Sequence, residues 1–306
     1  MNNVFLFDPD TMICTWNNYL DINEELLIGK FECKSDFRDN IVIATKKIVY
    51  GSLYQPQSSN WTSIKFLKSH LQKCVRRMKS KLAVESAAEI MRLDMNHFLR
   101  RLPIIIIEDV DLVSQLPTTI WLMIAYSKGY KLRDKDVSWL LGVVKAVAKC
   151  PERTIVDNKK ILKYKKEWIE SENVIFNSIL LRIAYGGMGG DMAMLRNAAV
   201  LSYNRDIIDL KIKPVKIKNK FLKLDKILPV GVDFHVGKNI LYDIQQHLRK
   251  NNLFVNKETL KEWMWQTRSG LNKRHKLKKE KNNPLKKYHK EVDDICLNIV
   301  RENYYN

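Results

Sequence analysis

The sequence predicts a mainly α-helical protein: a helical array with a small mixed α/β N-terminal portion before it and a basic C-terminal tail after it. Three observations carry this. Apolar residues recur at helical spacing from Trp61 to about residue 210, residues 1–60 hold short apolar runs without that period, and positive charge gathers beyond residue 210. With 306 residues, 45% of them hydrophobic, the chain can bury one large core or two ordinary ones. The predicted divisions are 1–60, 61–210 and 211–306.

In the first division VFLF and NIVIATKKIVYGSLY read as extended chain, the second as a strand pair or an edge strand, because Ile and Val recur without a helical period. QPQSSN at 55–60 breaks the pattern and offers an N-cap. Beyond it, Ile64, Leu67, Leu71, Cys74, Val75 and Met78 share one helix face, with Lys65, Lys68, Lys73, Arg76 and Arg77 largely off it. LAVESAAEIMRLDM follows with a second apolar period, so an α-hairpin is expected. TTIWLMIAYSKGY and DKDVSWLLGVVKAVAKC continue the array, with Gly129 ending one helix and Asp134 or Asp136 capping the next. Residues 151–210 add a charged helix at YKKEWIES and two helices flanking GGMGGDM. Pro214 and the Ile/Lys alternation of KIKPVKIK predict an extended, exposed segment. Helical spacing returns in NILYDIQQHLRKN and ETLKEWMWQTRSG, and the chain after Gly270 is mostly too polar to fold alone.

The charge is uneven. The chain holds 53 Lys and Arg against 34 Asp and Glu, a net charge of +19. Residues 211–226 contain seven lysines and one acid, and residues 268–290 contain ten basic residues and one glutamate. Two such runs favour a polyanionic partner, above all nucleic acid, over a merely solvated face. The candidate phosphate-binding residues are Lys211, Lys213, Lys216, Lys218 and Lys220 in the first run. In the second they are Arg268, Lys273, Arg274, Lys276, Lys278, Lys279, Lys281, Lys286 and Lys287. Phe221, Trp263, Trp265 and Tyr288 lie within or beside these runs, where a ring can stack on a base while lysines neutralise phosphates. Trp263 equally suits a helix packed on the core.

FLRRLPIIIIEDVDL, residues 98–112, admits two readings: a strand ending in magnesium-binding carboxylates, or a buried helix ending in a charged turn. A nucleotide-hydrolysing strand needs a glycine-rich loop ending in Gly-Lys-Ser or Gly-Lys-Thr, and the chain has none. Gly29-Lys30 is followed by Phe31, and GGMGGDM contains no lysine. The helical reading places Arg100 and Arg101 at the end of one helix, Pro103 in the first turn of the next, and Glu108 and Asp109 as partners of the arginines.

The stretch with Ala87 and Ala88, then Phe98, Arg100, Arg101, Leu102 and Glu108-Asp109, followed by the helical pair TIWLMIAYSKGY and WLLGVVKAVAKCPERT, resembles a helical domain of known type. It is similar to the collar that follows the ATPase core in replication-associated recombination proteins of the clamp-loader class. The resemblance covers residues 64–154. That family has a glycine-containing signature after Glu-Asp, where this chain has Val110 and Asp111. The resemblance implies an α-helical collar used for homo-oligomerisation and for association with DNA ends or forks. It implies no ATPase activity, because the nucleotide-binding core is absent.

Other constellations have plainer alternatives. The glycines of GGMGGDM could form an anion nest at a helix start, with Arg182 and Arg196 nearby, or a turn with Asp191 as N-cap. Asp233 and His235 could share a metal with Asp191, Glu108 or His247, or form a satisfied polar pair. Five cysteines, odd in number and without a C-x-x-C pair, indicate neither a disulfide framework nor a zinc ribbon. No apolar run approaches the ~20 residues needed to cross a bilayer, and no leader pattern is seen, so an intracellular protein without a membrane partner is expected. The expectation is a non-catalytic nucleic-acid-binding accessory protein of replication, recombination or genome maintenance, with DNA favoured over RNA and no cofactor. The alternatives are a metal-dependent enzyme on nucleic acid, in which Glu108, Asp109, Asp111, Asp191, Asp233 and His235 converge, and a structural scaffold or packaging protein.

Overall fold

The computed structural model describes residues 3–18, 23, 26–33, 40–156, 160–218, 220–236, 239–274 and 284–306. Among them the chain is mainly α-helical, with one small mixed sheet at the N-terminal end, as the sequence predicts. Two compact units are formed by interleaved stretches of chain. The first comprises Met1–Gln55, Asn96–Val143 and Glu152–Lys216, and the second Pro56–Met95, Val144–Pro151 and Ile217–Asn306. Residues 64–154 contribute to both.

The first unit is built on strands β1 (Asn3–Asp8), β2 (Ile13–Asn17), β3 (Leu27–Glu32) and β4 (Asn40–Thr45), in the order β2-β1-β4-β3. β1 and β4 pair in parallel at the centre, and the outer pairs are antiparallel. NIVIATKKIVYGSLY is therefore neither a strand pair nor an edge: only its first six residues form a strand, and that strand is internal. The reason is visible in its burial, since Ile41 to Thr45 are all buried and a strand covered on both faces reads as an unbroken apolar run.

Helix α3 (Met95–Asp109) decides the ambiguous stretch in favour of a helix, but as one helix and not two. Pro103 sits inside it, where it cannot donate to the carbonyl of Leu99. Ile104 to Ile107 are each at most 1% exposed. Four consecutive helical positions cover every side of a helix, so this stretch of α3 is surrounded by protein, and such a run has no period to reveal it. Around the sheet lie α4 (Leu116–Ser127), the start of α5 (Asp134–Lys149), α6 (Lys166–Glu170), α7 (Val174–Ala184) and α8 (Gly189–Leu201). Trp121 of α4 donates to the Phe5 carbonyl at 2.9 Å and stacks on Phe7 at 4.5 Å, which fixes the helix on the sheet. Gly129 takes φ 95° just past α4, a conformation that favours glycine. Asp136 closes the first turn of α5 by accepting the Arg133 amide at 2.9 Å and the Arg133 guanidinium at 2.6 Å. Residues 211–216 run extended beside α5, with the Val215 amide donating to the Ser138 carbonyl.

The second unit starts with the expected α-hairpin, α1 (Ile64–Arg76) and α2 (Ser80–Leu93). Its remainder is α9 (Ile240–Lys250), α10 (Lys257–Met264) running into a π turn (Trp265–Ser269), and α11 (His289–Asn303), joined by chain with little regular structure. The end of the chain folds after all. Val292, Cys296 and Val300 form an apolar stripe on α11, Trp61 pairs with Tyr305, and Asn60 accepts the Asn306 amide. That stripe is one residue wide, which is why a polarity average hides it.

Two buried polar groups tie α1 to the irregular chain. His70 accepts the Leu228 amide at Nε2 (2.8 Å) and lies 2.7 Å from the Ser86 hydroxyl through Nδ1. Since Ser86 donates to the Leu82 carbonyl, Nδ1 of His70 carries the proton and the ring is neutral. A side chain at Gly231 would come within 2.9 Å of that ring, so the turn fits only as glycine. Burial, with help from the Lys73 charge, pushes the imidazole down to about 3. Lys73 pairs with the fully buried Asp233 at 2.5 Å, and Ser269 donates to the same carboxylate at 2.6 Å. Burial would raise the Asp233 pKa. The Lys73 charge and these hydrogen bonds outweigh it and hold the carboxyl below its ordinary value.

Lys73→Met alone should cost about 3–5 kcal/mol in urea unfolding, because it strands a buried carboxylate, and Lys73→Met with Asp233→Leu should recover most of that loss. His70 binds its proton less tightly folded than unfolded. Stability should therefore fall as pH drops from 6.5 towards about 3, and His70→Gln should remove about 1.4 kcal/mol per pH unit from that slope.

Candidate nucleic-acid interface

Helix α2 places Lys81, Glu85, Glu89 and Arg92 on one face by their spacing of four, four and three. The chain from Ile217 to Lys226 is held along that face. Arg92 bonds Glu89 at 3.1 Å and donates to the Lys220 carbonyl at 2.8 Å and the Ile217 carbonyl at 3.4 Å. Glu89 accepts the Leu222 amide at 3.2 Å and the Ser59 hydroxyl at 2.6 Å, and Trp61 donates to the Leu222 carbonyl at 2.9 Å. Leu222 and Ile227 turn inward, whereas Lys218, Lys223 and Lys226 are exposed and Lys220 is half-buried.

Lys81, Lys226, Lys220 and Lys223 all act electrostatically on Glu85. Burial is the larger influence and holds the Glu85 carboxyl above its ordinary value against all four. Between them stands Phe221, 45% exposed, with the Arg92 guanidinium centred 4.2 Å from its ring centroid. A shallow groove adjoins, lined by Lys223, Leu224, Asp225, Arg301 and Tyr305. Another groove of this unit, between α9 and α11, is lined by Asp243, Glu291, Asp294 and Glu302 around Ile295 and Ile299, a setting that repels phosphate.

The residues expected from sequence divide into several groups. Lys211, Lys213 and Lys216 are exposed in the first unit. Lys218, Lys220, Lys273, Lys286 and Lys287 belong to the second, all exposed except the half-buried Lys220, and Lys287 lies 4.9 Å over the Tyr288 ring. Lys276, Lys278, Lys279 and Lys281 lie outside the described residues. Arg268 and Arg274 are corrections. Arg268 is 1% exposed and is committed to Asp293 at 2.5 Å and the Pro229 carbonyl at 2.9 Å. Arg274 donates to the carbonyls of Val75, Val147 and Cys150. Neither guanidinium is offered to a ligand. Trp263 is buried and packs the core, while Trp265 is exposed. Lys81, Lys223, Lys226, Arg301 and Tyr305 were not singled out from sequence. The helical spacing of Lys81 from Glu85 and the continuation of the lysine run to 226 were the available signals.

The acidic residues do not converge. Arg101 pairs with Glu108 at 3.7 Å and Asp191 at 3.6 Å, and Arg100 lies over Tyr185 at 5.4 Å. Asp109 is fully buried, and Asp111 accepts from the Leu112 amide and the Thr154 hydroxyl and lies 3.8 Å from Arg205. Asp233 and His235 are a local pair, the carboxylate accepting the His235 amide at 2.9 Å. Among the described residues no group of three His, Cys, Asp or Glu side chains is arranged to hold a metal ion. In GGMGGDM the N-cap is Met188, and Asp191 falls inside the first turn of α8. Arg182 is buried there, donating to the Gly186 carbonyl at 2.8 Å and the Arg100 carbonyl at 3.1 Å, and burial with the Arg100 charge lowers it to about 10. Among the described residues no helix is long and apolar enough to cross a membrane. No protein family, curated protein or solved structure matches the chain.

Because the folded state holds the Glu85 proton more tightly than the unfolded state, its ionised form opposes folding above the folded pKa. Glu85→Gln should therefore raise stability at pH 7 by up to about 1 kcal/mol, with the gain vanishing below pH ~4. Urea unfolding at the two pH values checks this, and a loss at pH 7 contradicts it.

Proposed function

We propose that this chain is a non-catalytic nucleic-acid-binding accessory protein that holds the phosphate backbone on the α2 face of its second unit. The observation that carries this is that Arg92, Glu89 and Trp61 hold the 220–226 chain by its backbone, leaving Lys218, Lys223 and Lys226 exposed along the helix that also carries the exposed Lys81. One carboxylate, Glu85, offsets only part of the repulsion among these like charges, so their grouping favours a polyanion that would neutralise them. The groove wall formed by Lys223 and Arg301 extends the same surface. The resemblance of residues 64–154 to a clamp-loader-class collar supports a role in replication, recombination or genome maintenance, and with it DNA over RNA. Lysine contacts of this kind bind without reading bases. Affinity then falls linearly with the logarithm of salt concentration, in proportion to the phosphates neutralised.

Cutting the chain after Ser269 would remove α11 and the Trp61–Tyr305 pairing, and so would test folding as much as binding. Charge reversal within the 220–226 run is cleaner. Lys220→Glu, Lys223→Glu and Lys226→Glu together should lower DNA affinity at least about tenfold at ~50 mM salt and reduce the salt slope by about 2–3. Fluorescence anisotropy against labelled DNA of two unrelated sequences should show equal losses on both. Unchanged affinity would remove the α2 face from the interface.

A further inference from the structure

We propose that Phe221 is a stacking platform for one base of single-stranded DNA, with the surrounding lysines holding the adjoining phosphates. This rests on the nucleic-acid role proposed above and narrows its ligand from any polyanion to an unpaired strand.

The ring is exposed by construction. Its neighbour Leu222 is 2% exposed and pinned through both its amide and its carbonyl, so the chain at this point packs on the core through Leu222. Phe221 nevertheless points outward and rests on a guanidinium. That guanidinium is itself immobile: the Arg92 side chain is fully buried and bonded to Glu89, to two main-chain carbonyls and, at 3.4 Å, to the Gln57 amide oxygen. A cation centred 4.2 Å from the ring centroid is an attractive contact that holds the ring flat. One face is thus occupied by a fixed cation, and the exposed area belongs to the rest of the ring. A platform ordered in advance loses little rotamer freedom when a ligand stacks on it.

A flat, exposed ring selects among nucleic acids. In a duplex each base face is already covered by its neighbours and only edges reach the grooves, whereas an unpaired base offers a whole face. Lysines on the same α2 face and the 220–226 chain supply the phosphate contacts that a stacked nucleotide needs on its backbone side. Lys223 belongs both to this group and to the wall of the groove that continues to Arg301 and Tyr305, so a strand leaving the ring meets further cationic and aromatic surface.

The test compares the full chain with Phe221→Ala, Phe221→Trp and the Lys220/Lys223/Lys226→Glu variant. The probes are oligo-dT, the same length with an abasic backbone, and a duplex. Stacking of one base is worth about 1–3 kcal/mol, so Phe221→Ala should weaken oligo-dT about 5- to 150-fold. It should leave the duplex, the abasic strand and the salt slope unchanged, and Phe221→Trp should restore oligo-dT binding. If Phe221→Ala binds oligo-dT like the parent while the lysine variant loses it, the platform is overturned and the electrostatic role stands. Equal losses on oligo-dT, abasic strand and duplex also overturn the platform. If the lysine variant matches the parent on every probe, the electrostatic role itself fails.

Discussion

Main-chain carbonyls in irregular chain must find donors, and in the second unit buried arginines supply many of them. Among the described residues between Ile217 and Val236 there is no strand and no α-helix to pair the backbone, and an unpaired buried carbonyl costs about as much as a lost hydrogen bond. Arg92 serves the carbonyls of Ile217 and Lys220, and Arg268 that of Pro229. Arg77 serves Thr267 and Arg268, Arg76 serves Ser269, and Arg274 serves three carbonyls at once. The planar guanidinium, always charged and with five donors, suits this task in a way that an ammonium does not. A buried charge is costly unless fully bonded, so these contacts fix the path of the chain and not merely its ends.

The interface follows from that constraint. The 217–226 chain carries four lysines and one aspartate, and its like charges repel one another. Glu89 and Arg92 grip its backbone, not its side chains, which leaves the lysines outward and brings them to Glu85. The same guanidinium that satisfies two carbonyls supports Phe221. One buried residue thereby connects the packing of α2, the course of an irregular segment and the presentation of an exposed ring.

Most of the fold was legible because helical spacing survives averaging: α1, α2, α4, α5, α7, α8, α9 and α10 all fall where apolar periods predict them. The failures share a physical cause. β4 and the Ile104–Ile107 run of α3 are buried on all sides and so lack a polar face to set a period. α11 buries a stripe too narrow to offset its charged residues. The site was half legible. Charge counts located the basic run through Lys220, but they could not tell an arginine that bonds carbonyls from a lysine that faces water, so Arg268 and Arg274 were misread. Lys81 lies far from the run in sequence and joins it only because α2 carries Glu85 one turn later.

This division between arginine and lysine also separates what salt can reach. Exposed lysines are reached by ions in solution, which screen them over about 8 Å at physiological ionic strength and compete directly for any phosphate they would hold. The buried guanidinium–carbonyl bonds are shielded from those ions and are hydrogen bonds to dipoles, not to mobile charges. Raising salt therefore acts on the ligand and leaves the scaffold in place. In this chain of net charge +19, the cations that bond the backbone of the second unit are distinct from the exposed lysines of the proposed interface.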